Sequence, residues 1–123
     1  MSFVPTTFLE QLGPNVSRAV ADAQPFGVVR LADDGTVELF NRWESQLSGV
    51  DVAAAEGRSF FTQVAPCTNN RLIAGKFRDG VQQRRLDVEI TYTFTYKMRP
   101  TNVTLRLYRH DATATNWLFV GLR

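Results

Sequence analysis

Hydrophobic and polar positions change their period along the chain. Two short β-rich runs, Phe26 to Leu31 and Thr36 to Phe40, flank Asp33-Asp34-Gly35. A turn of that composition between such runs predicts a β-hairpin. Helix start and stop signals come next. Asn41 is placed to cap a short helix over 42–47 that Gly49 stops, and Asp51 to start one over 52–56 that ends at Gly57. Ser59 precedes Phe60 to Val64, with Gln63 near a capping-box position. The segment Pro66 to Asn70 is expected to be a loop, and 71–83 the longest helix. Leu72, Ile73, Phe77 and Val81 would share one face of it, weakened by Gly75 and Gly80.

Period two then dominates. Leu86, Val88, Ile90, Tyr92, Phe94, Tyr96 and Met98 fall on one parity, Arg99 to Asn102 turns the chain, and Val103 to Tyr108 alternates again. A loop over 111–116 leads to a last strand from Trp117 to Leu122. Ahead of all this, Phe8, Leu9 and Leu12 make a small apolar patch broken by Pro14. Asn15 or Ser17 then caps a helix over 18–23, closed by Pro25. Strands at both ends with helices between them imply an α+β fold: one antiparallel sheet with short helices on one face and an N-terminal cap. The expected division is a helical cap over residues 1–25 and a core over 26–123, within one domain.

Composition narrows the function. A chain of 123 residues, 44% hydrophobic and 21% charged, is long enough for one buried core and has the balance of a globular protein. No run approaches 18 apolar residues, so no membrane association is expected. Met1 to Leu12 lacks the basic and apolar regions of a secretory signal. Fourteen Lys and Arg against twelve Asp and Glu leave a net charge of +2, too small to mark a nucleic-acid partner. Nothing points beyond a monomer or a weak dimer. One Cys and one His, Cys67 and His110, exclude an internal disulfide and leave almost no zinc ligands. A lone thiol fits a reducing cytoplasm. There is no phosphate-binding glycine loop, and His110 has no evident triad partners, so the chain is not expected to be an enzyme.

Cys67 remains. It sits in a loop ahead of a helix, where backbone N–H groups and the helix dipole favour a thiolate. Spacing alone favours a buried inert thiol over a covalent attachment point. The segment Gly57-Arg58-Ser59-Phe60-Phe61-Thr62-Gln63-Val64-Ala65-Pro66-Cys67-Thr68 decides the matter, because it resembles the chromophore-attachment segment of the photoactive yellow protein family. The resemblance runs from Pro25-Phe26-Gly27 to Trp117-Leu118-Phe119-Val120. It includes Gly75-Lys76-Phe77, Tyr92 to Met98, and Asn41 followed by Glu44.

The resemblance implies a PAS-like fold and a blue-light sensor. In that family p-coumaric (4-hydroxycinnamic) acid is carried as a thioester, here on Cys67. Trans–cis isomerisation draws a proton from the residue matching Glu44, and loosening of the cap is the output, read by a downstream partner that no motif identifies. Phe60, Val64, Ala65, Phe94, Tyr96 and Met98 match pocket residues, and Thr68 would lie beside the thioester carbonyl. Three positions depart from the family. Phe40 stands where a Tyr hydroxyl usually donates to the phenolate, Ser48 where a Thr supports that Tyr, and Val50 where an Arg commonly covers the pocket. A hydrogen bond to a charged oxygen is worth roughly 1.5–3 kcal/mol, so its loss should raise the phenol pKa by about one to two or shift the phenolate band to the red. Two rivals stand beside this reading. One is a pigment-free PAS-type ligand-binding or protein-interaction module, and the other an enzyme using Cys67 as nucleophile.

Overall fold

The computed structural model describes residues 3–95 and 99–123. Five strands form one antiparallel sheet: β1 (Gly27–Leu31), β2 (Val37–Phe40), β3 (Asp87–Phe94), β4 (Thr101–His110) and β5 (Thr115–Leu122), in the order β2-β1-β5-β4-β3. The α+β expectation holds, and so does the parity of β3: Ile90 and Phe94 are buried, Val88 and Tyr92 half-buried, and the intervening residues exposed. Tyr96 and Met98, placed on the same parity from sequence, lie outside the described residues.

Strand β5 occupies the centre, and its first seven residues are buried because both faces of the sheet are covered. On one face, helices α3 (Arg42–Ser48), α4 (Val52–Ala55) and α5 (Lys76–Gln83) join a wide five-residue turn, Phe60–Val64, to enclose a core built from Val29, Leu31, Phe60, Phe61, Phe77, Leu105 and Leu118. On the other face lies the N-terminal segment with α1 (Thr6–Leu9) and α2 (Arg18–Asp22). There Phe8, Leu12, Ala21 and Phe26 pack on Val28, Leu39, Trp117 and Phe119.

Capping follows the sequence at several places. Ser17, rather than Asn15, caps α2 by accepting from the Val20 N–H, and the Asn41 side chain accepts from the Glu44 N–H at the start of α3. Helix α3 stops at Gly49, whose φ of 75° is left-handed and favours glycine.

The expected helix over 71–83 is two elements. A wide turn, Arg71–Gly75, is closed by a hydrogen bond from Gly75 N–H to Asn70 O (3.0 Å), and α5 begins only at Lys76. That turn spans one residue more than an α-helical turn and resets the buried face. Ile73, Ala74 and Phe77 point inward, while Leu72, placed on the same face as Ile73 and Phe77 from sequence, is 45% exposed. The expected loop Pro66–Asn70 contains a tight helical turn, Pro66–Thr68, and the loop before β5 closes by residue 114. Ser59 does not cap with its side chain. The reciprocal half of the box forms instead, its N–H donating to Gln63 Oε1 (2.9 Å).

Candidate functional site

A narrow slot lies between the sheet and the helices. Its walls are Phe40 from β2, Glu44 and Ser48 from α3, Phe60 and Val64 from the wide turn, Ala65 and Cys67 from the segment that follows it, and Phe94 from β3. Eight residues singled out in the sequence therefore meet at one place. Val50 packs, half-buried, against the same core without lining the slot. Thr68 is buried, but its hydroxyl is spent on Ala65 O at 2.6 Å.

Helix α3 carries the polar end of the slot. Asn41 fixes its first turn and places Glu44 inward, one turn above Ser48. Glu44 is 2% exposed, and its Oε2 is the one buried side-chain polar atom without a hydrogen-bond partner among the described residues. Burial pushes its carboxyl pKa up to about 8, so it carries its proton at neutral pH and is a hydrogen-bond donor awaiting an acceptor. Beside it, β1 begins at Gly27. A Cβ there would run into Glu44 Oε2 and would stand 2.9 Å from Val120 Cβ, so only a glycine lets the carboxyl lie against the strand. Ser48 Oγ accepts from the Val50 N–H (3.2 Å), which leaves its own proton free to donate.

Cys67, half-buried and unpaired, sits in the tight turn. Its carbonyl receives the Tyr92 hydroxyl at 2.5 Å and the Asn70 side-chain amide at 3.2 Å. Sequence reading missed Gly27, Tyr92 and Asn70 as site residues. Tyr92 sat on the inward parity of β3, which was the signal available.

The donor set fits an aromatic acid. Apolar walls suit a ring, a thiol can hold an acyl group, and a neutral carboxyl and a hydroxyl can both donate to an acceptor oxygen. The fold and this slot define a PAS-type sensor domain. The Rhodobacter sphaeroides LOV protein shares the fold, with a TM-score of 0.67 over 85% of this chain and 63% of that one at 16% identity. The match is tighter with the photoactive yellow protein domain of the sensor histidine kinase Ppr from Rhodospirillum centenum. There the TM-score is 0.80 at 37% identity, over 85% of this chain and 92% of that one. The photoactive yellow proteins of Rhodothalassium salexigens and Halochromatium salexigens are each 32% identical to the chain. The first match covers 91% of this chain and 90% of the relative, the second 86% and 85%. No family model matches. The chain belongs to the photoactive yellow protein family of PAS-type photoreceptors.

Proposed function

We propose that this chain senses blue light through a 4-hydroxycinnamoyl group held as a thioester on Cys67, with Glu44 as the proton donor. The observation that carries the reading is the orphaned, protonated carboxyl of Glu44 in the same slot as the thiol. When bound, the group supplies a conjugated double bond that absorbs light and isomerises, and a phenol oxygen that accepts hydrogen bonds. Phe40, Phe60, Val64 and Phe94 exclude water around it. Glu44 donates from its carboxyl O–H and Ser48 from its hydroxyl. Phe40 donates nothing, so one donor fewer holds an anionic oxygen than a Tyr would allow.

Moving the proton off Glu44 leaves a carboxylate with no partner in an apolar wall, a state costing several kcal/mol. Displacing α3 or admitting water relieves it. Helix α3 is tied to the N-terminal segment, since Asn41 Nδ2 donates to Ala21 O (2.8 Å) and the Arg42 N–H to Asp22 Oδ1 (2.7 Å). Residues 1–25 therefore act as the cap that loosens, and 26–123 as the sensing core.

Reconstitution with an activated ester of 4-hydroxycinnamic acid tests this. The expected result is a mass increase absent in Cys67→Ala, with a visible band that bleaches in blue light. Titration of that band should show a phenol pKa that falls by about one to two in Phe40→Tyr. A colourless, unmodified chain would leave a pigment-free PAS-type ligand-binding or interaction module instead.

A further inference from the structure

The turn that carries Cys67 is held by little of its own. It is three residues long, and both flanks are irregular: Ala65 has φ −134° and ψ 67°, Asn69 φ −79° and ψ 71°. Its internal bonds, Thr68 N–H to Ala65 O (2.9 Å) and Asn69 N–H to Pro66 O (3.1 Å), leave the Cys67 carbonyl outside the turn's own ladder. Two side-chain donors from elsewhere take that carbonyl. The Tyr92 hydroxyl reaches it at 2.5 Å from β3, and Asn70 Nδ2 at 3.2 Å from the residue that opens the next turn.

The donors also hold each other. Asn70 Nδ2 donates to the Tyr92 oxygen (2.8 Å), while Asn70 Oδ1 accepts from the Ile73 N–H (2.9 Å). The Tyr92 ring is fixed in turn by edge contact with Phe94, a slot residue, at 6.3 Å between centroids. The carbonyl, the phenol and the amide thus form a closed triangle that joins the turn to the sheet. Fixing a carbonyl on two sides fixes its peptide plane, and with it the direction of the adjoining side chain.

We propose that Tyr92, backed by Asn70, is a positioning residue for Cys67, clamping its carbonyl so that the thiol enters the slot in one orientation. The proposal rests on the reading of Cys67 as the attachment point. In that acylation Cys67 Sγ bonds to the acyl carbon, the activating group leaves that carbon with its electron pair, and the thiol proton passes to solvent. A small alkylating agent such as iodoacetamide needs only access to the sulfur. An aromatic activated ester must also meet the thiol along the slot.

Two measurements on Tyr92→Phe, which removes one oxygen and keeps the ring, test the clamp. Cys67 is the chain's sole thiol, so its infrared S–H stretch reports one group. A narrow band is expected in the unmodified parent and a broadened or split band in the variant. The ratio of acylation rate to iodoacetamide alkylation rate should fall roughly five- to tenfold, the weight of one hydrogen bond. Asn70→Ser, which keeps an acceptor for the Ile73 N–H, should shift both readings the same way by less. Should Tyr92→Phe unfold, Asn70→Ser carries the test alone. An unchanged S–H band and an unchanged ratio in folded variants would overturn the proposal. If the parent takes up no pigment but its S–H band broadens in Tyr92→Phe, the clamp stands and the light-sensor reading falls.

Discussion

The two faces of the sheet are covered by different kinds of chemistry. Under the N-terminal segment, Phe8, Phe26 and Phe119 meet edge to face at 5.6–6.0 Å, and Trp117 stacks on Phe119 at 6.1 Å. The indole N–H of that layer is satisfied, since Trp117 Nε1 donates to Thr115 Oγ1 at 2.9 Å. Under the helices, Phe60, Phe61 and Phe77 make a comparable aromatic row, yet the wall beside them contains the unpartnered Glu44 carboxyl. Among the described residues, the N-terminal side has no buried side-chain polar atom without a partner, and the helix side has one. The contrast teaches that the more extensive apolar core, under the helices, is also the one that holds an unsatisfied polar group.

The contrast can be broken hardest at Phe8. Phe8→Ala removes a buried ring that touches Phe26 and Phe119, and should cost about 3–5 kcal/mol. Proteolysis within residues 1–25 should accelerate while near-ultraviolet circular dichroism still shows packed aromatics on the helix side. Simultaneous loss of both would mean that the faces melt as one unit.

The next effect is a pH dependence centred on Glu44. The folded chain keeps this proton to about pH 8, whereas an unfolded Glu releases it near its ordinary 4.5. Between those values the folded state binds more protons, so stability is full below about 4.5, falls as pH rises, and levels off above 8. The slope is at most about 1.4 kcal/mol per pH unit, a few kcal/mol in all. Denaturant midpoints measured across that range should lose the slope in Glu44→Gln. A slope that survives the substitution would assign the titration to another group.

The smallest effect sharpens the comparison at the edge of the N-terminal segment. Arg18 pairs with the Glu56 carboxylate at 2.6 Å, but its side chain is 46% exposed. Arg18→Ala should cost under about 1 kcal/mol, and that cost should vanish in 1 M salt. Glu56 would still accept from the Phe40 N–H (3.0 Å) and keep β2 in place.

Strands were legible because alternation is a local property: Ile90 and Phe94 needed only their own parity. The reading failed where a polar residue held a core position. β4 was expected to end at Tyr108, yet it runs to His110. Arg109 points inward because Asp33, Asp111 and Asn116 all bind its guanidinium, at 3.1, 3.1 and 2.7 Å. Asp33 is 76 residues away in sequence, beyond the reach of any local pattern. The phase of 71–83 failed for a different reason, since a turn wider by one residue leaves no mark in a hydrophobic count. At the site, Cys67 and Glu44 were legible through the family resemblance. The unpartnered state of the Glu44 oxygen was not, because the space it occupies is left by Gly27, which comes from another element.

Asn41 joins the N-terminal segment to α3. Its side-chain amide donates to Ala21 O and Phe26 O and accepts from the N–H groups of Val28 and Glu44, at 2.8–3.1 Å. Both hydrogens and the oxygen are fully employed, so no other side chain substitutes: an aspartate brings no hydrogens, a leucine neither kind of partner, and a glutamine is one carbon too long. The Asn41 link between the leading residues and the helix of Glu44 is therefore a rigid neutral joint, and salt that screens the ion pairs around it should leave these four hydrogen bonds in place.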